Sequence, residues 1–70
     1  MLKLAERLYI LRKERKLTQE DAAKELGISM KSYCRYEKQE REPTASVLVQ
    51  MAKFYNVSLD YLMGLTDERQ

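Results

Sequence analysis

Seventy residues with 44% apolar content and a formal net charge of +2 make one small domain, near the lower limit for a chain that folds without staples. A single cysteine, Cys34, and no histidine exclude an intrachain disulfide and a structural zinc site. The net charge is too small to prove a nucleic-acid partner, so the placement of the charges has to carry that argument.

The chain is predicted to be helical throughout. Glycine occurs only at positions 27 and 64 and proline only at 43, and no alternating strand pattern lasts. From about residue 2 to residue 16, Leu4, Leu8 and Leu11 recur at i, i+4 and i+7 on one helical face. Charges are threaded through these apolar positions, so the segment is neither a signal peptide nor a membrane span, and a cytoplasmic protein is expected. Lys13, Arg15 and Lys16 suit the negative pole at its end, and Leu17 fills the corner that follows.

Thr18 is placed as the N-cap of a second helix, 19–26, with Glu20 and Asp21 in its first turn. Gly27 follows where a left-handed residue is expected. Ser29 caps a third helix from Met30 to about Lys38. Two short capped helices around a glycine form a helix-turn-helix, whose second member can project into a DNA major groove. Pro43 blocks helix until Thr44, which caps a fourth helix over 45–55. Asn56 sits at its left-handed end, and Ser58 caps a last helix from Leu59 to Met63 that Gly64 closes. Residues 1–64 then form the domain, and the polar tail 65–70 is expected to fray.

The order LxxLRxxxxLTQxxxA, LGIS, YExxxxxP and LVQMAKFYNVSLDYL resembles the phage repressor and Cro type of helix-turn-helix domain over residues 4–63. The resemblance implies an all-α, five-helix DNA-binding domain, often dimeric, that regulates transcription. Three positions depart from the family pattern. Ala22 stands where a larger aliphatic residue is usual, and Tyr33 is a bulky replacement that can fill the space with its hydroxyl at the surface. Gln39 replaces the glycine that ends the reading helix, so either it accepts left-handed strain of about 1 kcal/mol or the helix runs on.

On the third helix, with Tyr33 inward, Glu37 lies about 40° away and Tyr36 about 60° on the other side. Lys31, Arg35 and Lys38 point the opposite way, with Ser32 and Cys34 at the borders of that stripe. The family's base-reading positions match Met30, Lys31 and Arg35. Arg35 can pair bidentately with guanine, Lys31 can reach the same acceptors, and Met30 can either meet a thymine methyl or pack half-buried. Gln19, Ser29, Ser32, Lys38 and Arg41 are the candidate phosphate contacts, Gln19 at a helix N-terminus that favours anions. The family also implies an ion pair between Arg12 and Glu37.

Val47, Phe54, Leu59, Tyr61, Met63 and Leu65 are apolar residues left over once a core is filled, and Phe54, Leu59, Tyr61 and Met63 among them are the candidate dimer interface. The family dimerises through its last helix, which matches Leu59 and Tyr61, so a homodimer is expected. No nucleophile–base pair or phosphate-cradling glycine loop can be assembled, so an enzyme is not expected, nor is a cofactor, a membrane partner or a small-molecule effector. Two functions remain. One is a transcriptional regulator reading a short pseudo-palindromic double-stranded operator. The other is a protein-interaction module, such as an antitoxin or anti-regulator, acting through the apolar C-terminal face. Cys34 beside cations invites a redox-sensor reading, but a small residue at a helix edge is the better explanation.

Overall fold

In the computed structural model, which describes residues 3–70, five helices follow one another, with no strand among the described residues. They are α1 (Leu4–Glu14), α2 (Gln19–Leu26), α3 (Met30–Glu37), α4 (Ala45–Tyr55) and α5 (Leu59–Leu62). The predicted first helix is trimmed at both ends. Residue 2, its expected start, lies outside the described residues, and its end comes at Glu14 because Lys16 turns left-handed. The last helix stops one residue short of Met63, which becomes its C-cap.

Four helices begin on a hydroxyl side chain. Thr18 Oγ1 accepts from the Asp21 amide at 3.0 Å while Asp21 Oδ2 accepts from the Thr18 amide at 3.1 Å, a reciprocal box built with aspartate. Ser29, Thr44 and Ser58 cap α3, α4 and α5 in the same sense. The helix ends are equally uniform. Lys16, Gly27, Gln39, Asn56 and Gly64 all have positive φ, between 56° and 82°. After each, the next amide reaches back to a carbonyl five residues earlier: Leu17 to Arg12, Ile28 to Ala23, Glu40 to Arg35, Val57 to Ala52 and Leu65 to Asp60. This is the Schellman arrangement, and it stops every helix here in a fixed direction.

The core forms where the five helices meet. Leu8, Tyr33, Met51 and Leu62 are its fully buried large side chains. Ala22 and Ala23 turn the small face of α2 toward it, and Tyr33 on α3 supplies bulk. Its position predicts the Tyr33 hydroxyl at the surface, but the hydroxyl is buried. It meets the Tyr55 hydroxyl of α4 at 2.7 Å inside the protein.

The tail lies against the helices. Arg7, buried on α1, donates to the carbonyls of Tyr61 at 2.8 Å and Thr66 at 2.7 Å, and to the Asp67 carboxylate at 2.8 Å. Arg69 pairs bidentately with Glu14 at 2.8 and 2.7 Å. The Ser58 amide donates to the Arg69 carbonyl, and the Gln70 side chain to that of Asn56. Polar composition predicts a loose end; three backbone acceptors and two ion pairs hold it against the helices.

Candidate nucleic-acid interface

The α3 sequence MKSYCRYE splits cleanly into two sides. Tyr33 and Tyr36 are buried, and Glu37 points its carboxylate inward, its side chain only 4% exposed. Lys31 and Lys38 are exposed and Arg35 is half-exposed, so the cations lie on the outer side. Met30, for which sequence leaves base contact and packing open, is 51% exposed at the helix start. Ser29 and Ser32 are tied to each other, Oγ to Oγ at 3.0 Å, beneath the same turn.

Glu37 anchors this helix. Arg12 Nε donates to its Oε2 at 2.7 Å and Nη2 to its Oε1 at 3.1 Å. The remaining Arg12 nitrogen donates to the Leu17 carbonyl at 2.9 Å, so the guanidinium clamps α1, the α1–α2 corner and α3 together. The hydrogen bond to Glu37 raises the Arg12 pKa, outweighing burial, which acts the other way. A pair this enclosed adds specificity more surely than stability, but stripping one partner strands the other.

Gln19 joins the same cluster. Its Nε2 donates to Glu37 Oε1 at 3.2 Å, and its Oε1 accepts from the Cys34 thiol at 2.8 Å. The first residue of α2 is therefore bound to α3 through both ends of its carboxamide. Behind it, burial and the bond to Tyr55 raise the Tyr33 pKa, and burial likewise raises that of Tyr55.

Sequence reasoning missed part of this surface. Lys13 and Lys16 are explained there by the helix dipole alone. In the structure they line an open hollow of about 530 Å³ with Arg12, Leu17, Thr18 and Gln19, beside the α2 N-terminus. Their adjacency to the LTQ segment was the available signal. Arg41 and Lys38 lie after the reading helix, exposed, with Gln39 left-handed between them at φ 62°. Gln39 accepts the strain and the helix does not run on.

The four apolar candidates at the C-terminal end do not form one exposed set. Leu59 is 40% exposed, Met63 is half-buried, and Phe54 packs against the core beneath the Arg15 guanidinium at 5.0 Å. Tyr61 is buried, its ring under the Arg7 guanidinium at 3.9 Å and near that of Arg69 at 5.5 Å. Tyr61 is thus a core residue, covered by Arg7 and the tail. Leu65, 75% exposed, takes its place as the most open apolar side chain of this end.

Among the described residues, no group of three His, Cys, Asp or Glu side chains could hold a metal ion, and no helix is long and apolar enough to cross a membrane.

The helix-turn-helix family model matches residues 8–62. An uncharacterized HTH-type transcriptional regulator, YobD of Bacillus subtilis, is 46% identical over 63 residues, covering 90% of this chain and 56% of its own length. The cryptic phage CTXphi transcriptional repressor RstR of Vibrio cholerae is 44% identical over 71 residues, covering 99% of this chain and 63% of its own. The chain thus spans little more than half the length of these relatives. Among solved structures, the P22 c2 repressor protein in complex with a synthetic operator superposes with a TM-score of 0.82 at 32% identity, covering 86% of this chain and 91% of that one.

Proposed function

The chain belongs to the helix-turn-helix family of the phage repressor and Cro type, and on that premise we propose that it is a sequence-specific regulator of transcription, acting as a repressor on double-stranded DNA. The observation that carries this reading is the division of α3. Its inner side is fixed by Tyr33, Tyr36 and the Arg12–Glu37 pair, while Lys31 and Arg35 are left free on the outside. A helix anchored on its inner side can offer donors to base edges without paying to order its backbone on binding; only the Lys31 and Arg35 side chains then lose freedom.

In this reading Met30, Lys31 and Arg35 meet bases, and Gln19, Ser29, Ser32, Lys38 and Arg41 meet the phosphate backbone. A twofold homodimer through Leu59, Met63 and Leu65 puts two reading helices about 34 Å apart, one turn of DNA. The exposure of Leu59 and Leu65 supports that face. The test is selection of bound sites from a random duplex pool, then titration of the selected site against rising salt. Lys31→Ala and Arg35→Ala are each expected to weaken specific binding by about 1–3 kcal/mol. Variants that bind like the parent would remove both residues from base reading, and affinity that ignores salt would overturn the DNA reading.

A further inference from the structure

The carboxamide of Gln19 is held at two points, and only one of them is needed to choose its orientation. Glu37 can only accept, so it draws the Nε2 end of Gln19 toward itself, at 3.2 Å. That single bond leaves the rest of the side chain free to swing. The second bond, from the Cys34 thiol to Gln19 Oε1 at 2.8 Å, closes the carboxamide into a fixed plane between α2 and α3. Cys34 itself is half-buried, one position before Arg35 on the reading helix.

We propose that Cys34 is a positioning residue for DNA binding, whose thiol holds the Gln19 carboxamide so that its second Nε2 hydrogen is presented to a phosphate oxygen. With Oε1 engaged by Cys34 and one Nε2 hydrogen by Glu37, that hydrogen is the uncommitted donor of the side chain. It lies at the first residue of α2, beside the hollow lined by Lys13 and Lys16, where the surroundings favour an anion. The chain of contacts runs Arg12, Glu37, Gln19, Cys34, so three helices set the position of one donor. The thiol contributes here as a hydrogen-bond donor, and no redox chemistry is involved.

This inference rests on the DNA-binding reading, and the test separates the two. In the free protein, Cys34→Ala should move the Gln19 side-chain amide signals toward those of an unrestrained glutamine, with the melting temperature held. Cys34→Ser keeps a donor and should leave them near their parent positions. On a selected operator, Cys34→Ala should weaken binding about threefold, in line with one lost hydrogen bond from a weak donor. Cys34→Ser should bind like the parent, and the loss should vanish in a Gln19→Ala background. Unmoved Gln19 signals, or an equal loss with and without Gln19, would overturn the positioning role while leaving DNA binding intact. If the parent shows no salt-dependent operator binding, the functional reading fails first and this role falls with it.

Discussion

The Tyr33–Tyr55 hydroxyl pair is the residue-level feature with the sharpest energetic consequence. Both rings are buried, and the two oxygens satisfy each other at 2.7 Å between α3 and α4. Removing one hydroxyl leaves the other buried with its partner gone, which costs more than removing both. Tyr33→Phe is expected to lower stability by about 1–3 kcal/mol in denaturant unfolding. The double Tyr33→Phe, Tyr55→Phe variant should fall short of the summed single losses, and strict additivity would show that the hydroxyls do not act as a pair.

At the scale of the element, five Schellman ends do the work that loops do in larger folds. Glycine supplies the left-handed residue at only two of them, Gly27 and Gly64. Lys16, Gln39 and Asn56 hold the same conformation with a Cβ, asparagine with the least strain. Gly27 has open space where a Cβ would stand, so its φ of +71° is its only constraint. Gly27→Ala and Gln39→Gly therefore probe one quantity in opposite directions. The first should destabilise by about 1 kcal/mol and the second stabilise by about 0.5–1 kcal/mol, read as shifts in the unfolding midpoint. Shifts of the same sign would mean that the turn conformation is not what is being measured. An apolar residue follows four of the five left-handed positions: Leu17, Ile28, Val57 and Leu65. Glu40 breaks the pattern at the exposed end of α3.

Over the whole molecule, closure depends on Arg7 and the tail. One buried guanidinium, stacked on Tyr61, reaches two carbonyls and a carboxylate, so the chain's last segment is bound across its first helix. A lysine cannot reproduce that fork. Arg7→Lys is expected to cost about 2 kcal/mol and to speed amide exchange over residues 65–70. Asp67→Ala should lose far less, because Asp67 is 91% exposed and its pair is screened. An equal loss from both would place the strength in the ion pair instead. The Arg69–Glu14 pair adds a pH dependence. Its hydrogen bonds hold the Glu14 pKa below the ordinary value of 4.5. A carboxyl depressed in the folded state contributes stability above its unfolded pKa and loses it as pH falls through the folded one. Acidification below about pH 4.5 should therefore free Arg69, seen as movement of the tail's NMR signals before global unfolding. Tail signals that stay fixed until the whole protein unfolds would count against the pair.

Local signals determined most of the architecture. Thr18, Gly27, Ser29, Pro43, Thr44, Asn56 and Ser58 mark helix boundaries through backbone chemistry that acts within a few residues, so α2 and α4 lie where the sequence puts them. The two sides of α3 followed from periodicity alone, since a helix of 3.6 residues per turn separates Tyr33 from Lys31 and Arg35 wherever it packs. Tertiary structure decided what depends on distant segments meeting. The Tyr33 hydroxyl is buried because Tyr55 lies 22 positions away with an oxygen to match. Tyr61 is covered because Arg7, 54 positions earlier, reaches over it. The tail is bonded to Arg7, and Gln19 is held by Cys34 and Glu37, for the same reason. Propensity and period describe a residue's neighbours along the chain; hydrogen bonds between helices require their packing, which no local rule specifies.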